Sequence, residues 1–94
     1  MTLNQIVYFA RTAEYMNMAR AARELMIAQP SLSMSLSKLE DELGVALFEK
    51  KGRGIILTPE GQCFLTHAQR IISDVDSAAR EMKRLKNEAE SSLT

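Results

Sequence analysis

The sequence predicts a mainly α domain of three helices and a two-stranded hairpin, followed by one long helix. Three observations carry this. Leucines recur at helical spacing between Pro30 and Gly44, two β-prone runs flank Lys51-Gly52-Arg53-Gly54, and apolar residues keep heptad spacing from Phe64 to Ala89 with no proline or glycine between them.

Leu3, Ile6, Val7, Ala10 and Ala13 fall at helical spacing, so residues 3–14 form a first amphipathic helix whose apolar face Phe9 broadens. Asn17 can accept a hydrogen bond from the unpaired amides of a following turn, which makes it the cap of a short second helix over residues 18–25. Ala21 and Ala22 at its centre let a neighbouring helix approach closely, Arg20, Arg23 and Glu24 stay in water, and Leu25 and Ile27 bury the turn that follows.

Pro30 has no amide to donate and a preset φ, which suits the first turn of a third helix that runs to Leu43 and stops at Gly44. Within it Leu32, Leu36, Leu39 and Leu43 recur at steps of four, three and four and form one buried stripe. Gln29, Pro30, Ser33, Met34 and Ser37 are related by steps of three and four on the opposite side, so they project together away from the core. That face is polar, short-chained and uncharged.

Residues 45–58 read as a hairpin, because the glycines beside Lys51 and Arg53 permit the positive φ of a tight turn. Thr58-Pro59-Glu60 then repeats the chemistry of a helix start: a capping hydroxyl, proline at the first position and a carboxylate near the positive helix end. From there Phe64, Ala68, Ile71, Val75, Ala78, Met82, Leu85 and Ala89 alternate steps of four and three. A helix from residue 59 to residue 89 is about 45 Å long at 1.5 Å per residue, too long to bury its seam against so small a domain. The seam therefore calls for a second copy of the chain. The expected organisation is a compact unit over residues 1–58, a dimerisation helix over 59–90, and a hinge or disordered tail over 91–94, where Ser91-Ser92-Leu93-Thr94 abandons the heptad.

Ninety-four residues with 46% hydrophobic content suffice for one modest core and leave no room for a ligand-sized second domain. Twelve basic residues balance twelve acidic ones, so charge alone does not announce nucleic acid, and any basic footprint must be local. One cysteine excludes an intramolecular disulfide framework, and with no signal pattern at the N-terminus the expected address is cytoplasmic. No apolar run approaches the roughly 20 residues of a membrane span. Cys63 and His67 stand one helical turn apart but have no third Cys or His to complete a metal site, and no catalytic constellation is visible. Neither metal, cofactor nor enzymatic activity is expected.

The Ala21-Ala22 pair followed by Leu25, then Gln29-Pro30-Ser31 and Ser33, Leu39-Glu40, Leu43-Gly44, Leu47-Phe48, Gly52-Arg53, and Leu57-Thr58 with Gly61 resemble the N-terminal region of LysR-type transcriptional regulators. With Tyr8-Phe9 in the opening helix, the likeness spans nearly the whole chain. It implies a winged helix-turn-helix whose third helix enters the major groove of double-stranded DNA, with the wing near the minor groove. It also implies a linker helix that pairs antiparallel in a homodimer on a pseudo-palindromic site. Carried over by position, Gln29, Pro30, Ser33 and Met34 would face base edges. Ser31, Ser37, Lys38, Lys50, Lys51 and Arg53 would meet the DNA backbone or minor groove, and Phe64, Ala68, Ile71, Val75, Ala78, Met82 and Leu85 would form the dimer seam.

The chain departs from the family where serine is common at position 28 and basic or polar residues at positions 34 and 37: it has Ala28, Met34 and Ser37. These changes favour apolar contact with thymine methyls and recognition of DNA shape over direct polar readout. The family's small-molecule effector domain has no counterpart in these residues. Zero net charge and an uncharged face leave an alternative, a protein-interaction or dimerisation module with little DNA affinity.

Overall fold

The computed structural model describes residues 1–92, in the order α1 (Leu3–Tyr15), α2 (Met18–Glu24), α3 (Gln29–Leu43), β1 (Phe48–Lys51), β2 (Gly54–Leu57) and α4 (Pro59–Ser92). It is a winged helix-turn-helix with a long helix appended. The expected tail is helical at Ser91 and Ser92, and Leu93 and Thr94 lie outside the described residues.

Local chemistry sets the helix ends. Thr2 and Gln5 form a reciprocal capping box at the start of α1, the Gln5 amide donating to Thr2 Oγ1 at 3.1 Å and the Thr2 amide to Gln5 Oε1 at 2.8 Å. Asn17 Oδ1 accepts from the Arg20 amide at 2.9 Å, as its position before α2 predicts. Ala28 precedes α3 in extended conformation and offers no side-chain cap. At the far end, Gly44 closes α3 in the left-handed region, its amide donating to the Glu40 carbonyl at 2.8 Å.

The buried face of α1 differs from the stripe read in the sequence. Ile6, Phe9 and Thr12 are its buried residues, whereas Leu3 is exposed and Val7, Ala10 and Ala13 are half-buried. Thr12 can be buried because its hydroxyl donates to the Tyr8 carbonyl at 2.7 Å, so no polar group is left unpaired. Val7, Ala10 and Ala13 instead line a groove between α1 and α4, opposite Leu65 and Ile72.

Phe9, fully buried, sits at the centre of the core with Ala21, Leu32, Leu39, Leu47 and Ala68 around it, all at most 1% exposed. Its ring centroid lies 5.3 Å from that of Phe48 on the wing and 5.1 Å from that of Phe64 on α4, the latter edge-on. The start of α4 therefore belongs to the same core as α1–α3. Phe64 and Ala68, expected in the dimer seam, are packed within their own chain, and Ala68 has no exposed surface to offer a partner. Ile71 is also packed partly against the core. Beyond it the chain has nothing to set against α4, and Val75, Met82 and Leu85 are 42%, 59% and 43% exposed. The protruding helix gives the molecule its extents of 61 × 25 × 19 Å.

Gly61 lets α4 lie directly on the segment leading into the wing. A Cβ at this position would fall 2.1 Å from the Leu47 carbonyl oxygen and 3.0 Å from its carbonyl carbon, both backbone atoms that cannot swing away. Alanine is favoured over glycine by about 1 kcal/mol in an ordinary helix interior. Here the clash dominates, so Gly61→Ala is expected to lower stability by about 3 kcal/mol, read as a reduced midpoint of urea unfolding. An unchanged or raised midpoint would contradict the close approach.

Candidate functional site

The exposed face of α3 is held outward by the leucines behind it. Leu32, Leu36 and Leu39 are buried and Leu43 half-buried, so Gln29, Pro30, Ser33, Met34 and Ser37 all lie on the solvent side, with Ser31 and Lys38 exposed beside them. Ala21 and Ala22, 0% and 3% exposed, let α2 pack closely on α3. Between these helices the chain turns at Met26, whose φ of 58° is left-handed although it carries a side chain, and the Ile27 amide closes the turn on the Ala22 carbonyl at 3.0 Å.

The wing is a regular antiparallel pair with Phe48 opposite Leu57, Glu49 opposite Ile56, Lys50 opposite Ile55 and Lys51 opposite Gly54. Gly52 and Arg53 make the two-residue turn, and glycine at the first turn position, with φ 61°, is what the tight primed turns of hairpins demand. Arg53 thereby stands at the tip.

Two side chains fix the wing to the helices. The Glu40 carboxylate of α3 accepts from the Leu47 amide at 2.7 Å and from the Phe48 amide at 3.4 Å. Thr58 binds at the other end: its hydroxyl donates to the Ala46 carbonyl at 2.5 Å and accepts from the Gly61 amide at 2.9 Å, while its own amide donates to the Leu47 carbonyl at 3.0 Å. The sequence pattern marks Thr58 as a helix cap, which it is. That Glu40 serves as a wing anchor is invisible there, because its acceptor role depends on amides seven and eight residues away.

These supports bring Gln29, Lys50 and Arg53 to a single groove, which runs between the start of α2, the N-terminal end of α3 and the wing. Asn17, Met18 and Ala19 complete its helical wall, a contribution from α2 that the sequence analysis reads only as a cap and a helix start. Ser33, Met34, Ser37 and Lys38 continue along α3 outside the groove, and Lys51 stands on the wing away from its lining. Among the described residues, side-chain ion pairs join Arg11 to Glu14 and Arg84 to Glu81 and Glu88, and the N-terminal amine meets Glu42. None of these pairs uses Lys38, Lys50, Lys51 or Arg53, so the cations around the groove are available to an outside anion.

Among the described residues, no three His, Cys, Asp or Glu side chains gather where a metal ion could be held, and Cys63 is exposed. No helix among them is long and apolar enough to cross a membrane.

The sequence pattern of the lysR family of bacterial regulatory helix-turn-helix proteins matches residues 3–62. The HTH-type transcriptional regulator BsdA of Bacillus subtilis is 40% identical over 94 residues, covering 99% of this chain and 32% of BsdA. BenM, an HTH-type transcriptional regulator of Acinetobacter baylyi, is 39% identical over 85 residues, covering 90% of this chain and 28% of BenM. The chain thus spans about a third of the length of these regulators. In structure it matches the BenM DNA-binding domain crystallised with catB site 1 DNA at a TM-score of 0.87 and 39% identity, over 90% of this chain and 96% of that one. It also matches CbnR, a LysR family transcriptional regulator, at a TM-score of 0.83 and 38% identity, over 88% of this chain and 29% of CbnR.

If Glu40 orients the wing, Glu40→Ala should cost about 2 kcal/mol, the scale for hydrogen bonds to a charged acceptor, and should speed amide exchange at Leu47 and Phe48. Glu40→Gln keeps an acceptor oxygen and should lose less on both counts. Equal exchange rates in all three proteins would remove Glu40 from the wing's supports.

Proposed function

Because the chain belongs to the lysR family of bacterial regulatory helix-turn-helix proteins, we propose that it is a sequence-specific DNA-binding unit of transcriptional regulation, acting as a homodimer on a pseudo-palindromic site. The observation that carries this reading is the groove in which Gln29 of α3 meets Lys50 and Arg53 of the wing, three exposed side chains with no internal task. One offers an amide that can bond bidentately to adenine, and two offer cations suited to phosphate. The likeness to a domain crystallised on DNA supports the same assignment.

In this mechanism α3 lies in the major groove with Gln29, Pro30, Ser33 and Met34 towards base edges, and Ser31, Ser37 and Lys38 towards the flanking backbone. The wing brings Lys50, Lys51 and Arg53 to the adjacent phosphates or minor groove. Phosphate contacts release counterions and supply most of the affinity, whereas base contacts choose the site.

Pairing falls to α4. With Phe64 and Ala68 engaged internally, the surface left for a second copy begins at the half-buried Ile71 and continues through Val75, Ala78, Met82 and Leu85. Full burial of a valine, leucine or methionine side chain is worth about 1.5–3 kcal/mol, so joining two such seams offsets the large cost of association. Antiparallel pairing would place two α3 helices on one face of DNA, to read half-sites about 34 Å apart.

Two measurements test these parts separately. Arg53→Ala should weaken DNA binding and reduce the slope of log affinity against log salt by about 0.9, while Gln29→Ala and Ser33→Ala should relax sequence preference in a selection from random DNA. An unchanged slope would remove Arg53 from the backbone contacts, and unchanged preference in both other variants would remove this face of α3 from base reading. Leu85→Asp should convert the dimer to monomer in sedimentation without lowering the monomer's helix content. A wild-type protein that is monomeric at high micromolar concentration would overturn the pairing.

A further inference from the structure

We infer that Met34 makes the protein a reader of the 5-methyl group of thymine, setting sequence preference at one base pair of each half-site through apolar contact. This rests on the reading of α3 as the base-facing helix.

Met34 is 62% exposed on a helix whose other long apolar side chains are turned inward. It serves no core, since the hydrophobic cluster around Phe9 and its half-buried fringe do not include it. Its neighbours on the same face divide into two rows: Gln29, Ser33 and Ser37 at steps of four, and Pro30, Met34 and Lys38 at steps of four. The first row carries hydrogen-bonding groups. In the second, proline and methionine form an apolar pair one turn long before the cation of Lys38.

A thioether has no donor and is a weak acceptor, so it cannot satisfy the O6 and N7 acceptors of guanine, the N4 donor of cytosine or the N6 donor of adenine. Placed over such a group it displaces water without replacing the hydrogen bond, a net loss. Among unmodified bases the one apolar group on the major-groove edge is the thymine 5-methyl. The flexible, polarizable methionine side chain can settle against it without a fixed geometry. Lys38 lies a full turn beyond Met34, so guanine recognition by that cation would concern another base pair.

The test isolates the methyl group. With the full chain and a site obtained by selection from random DNA, each thymine of a half-site is replaced in turn by deoxyuridine, which keeps every hydrogen-bonding group and removes only the methyl. One position should weaken wild-type binding about fourfold, the equilibrium factor for burying a single methyl group. At that position the replacement should leave the affinity of Met34→Ala unchanged and should still weaken Met34→Leu, whose side chain remains apolar. Thermal melts of both variants should match wild type, because the position is exposed. The inference is overturned if no thymine shows the effect while sequence-selective binding persists, or if Met34→Ala suffers the same loss. A wild-type protein without sequence-selective binding would overturn the function proposed above and this inference with it.

Discussion

Every element that must hold its place for the groove to exist is tied, directly or through one neighbour, to the ring of Phe9. This side chain comes from α1, which contributes nothing to the groove lining beyond its C-terminal cap, Met16. Yet it meets Phe48 at the base of the wing and Phe64 in the second turn of α4, and Leu32 and Leu39 of α3 share its cluster. Aromatic pairs of this kind contribute about 0.5–1.5 kcal/mol beyond the area they bury. Their larger effect is geometric: three segments that would otherwise pack independently are referred to one rigid object. A two-stranded hairpin is marginal in water by itself, and this one is short, with six of its eight residues lying beyond the pairs nearest the core. Phe48 against Phe9, the Glu40 carboxylate and Thr58 turn it into a rigid arm.

How much of this could be read from residues alone depended on whether the signal was local. Caps were legible where one side chain serves amides two or three positions away, as at Asn17 and Thr58. The leucine stripe of α3 was legible because 3.6-residue periodicity is a property of one helix, and it placed the outer face correctly. The buried face of α1 was misread because a hydropathy pattern scores Thr12 as polar, whereas its hydroxyl is satisfied by a carbonyl one turn back and the rest of the side chain is apolar. Glu40 and the α2 wall of the groove were not legible, since both depend on how elements distant in the chain are brought together. Gly61 was noted for its resemblance to a pattern, but its reason, the Leu47 carbonyl lying where a Cβ would be, is a tertiary fact.

The long helix shows the same limit at larger scale. Heptad spacing runs unbroken from Phe64 to Ala89, so the sequence offers one seam, but the fold uses it twice. Phe64 and Ala68 complete the core of their own chain, Ile71 lies at the margin, and Val75, Met82 and Leu85 are left in water. A continuous seam with two employments couples the two. Because α4 is one unbroken helix, whatever fixes its distal half also fixes the direction in which its proximal half holds α1–α3 and the wing. Pairing through the distal half would thus set the separation and orientation of two reading heads, with Gly61 and Phe64 transmitting that geometry without a hinge.

Zero net charge is compatible with this assignment because charge acts at the range of a Debye length, about 8–10 Å at physiological salt, and not as a chain total. Much of the acidic complement has other employment. Glu40 faces backbone amides, Glu14 meets Arg11, Glu42 meets the N-terminal amine, and Glu81 and Glu88 share Arg84. The wing carries one acid, Glu49, among its cations, and strand pleating resolves that conflict. Successive side chains of a strand point to opposite faces, so Lys50 reaches the groove while Glu49, its predecessor, does not line it. An anion approaching between α3 and the wing would meet Lys50 and Arg53 first. The sum over the chain is neutral, but the field at the groove is set by which carboxylates the fold has turned away from it.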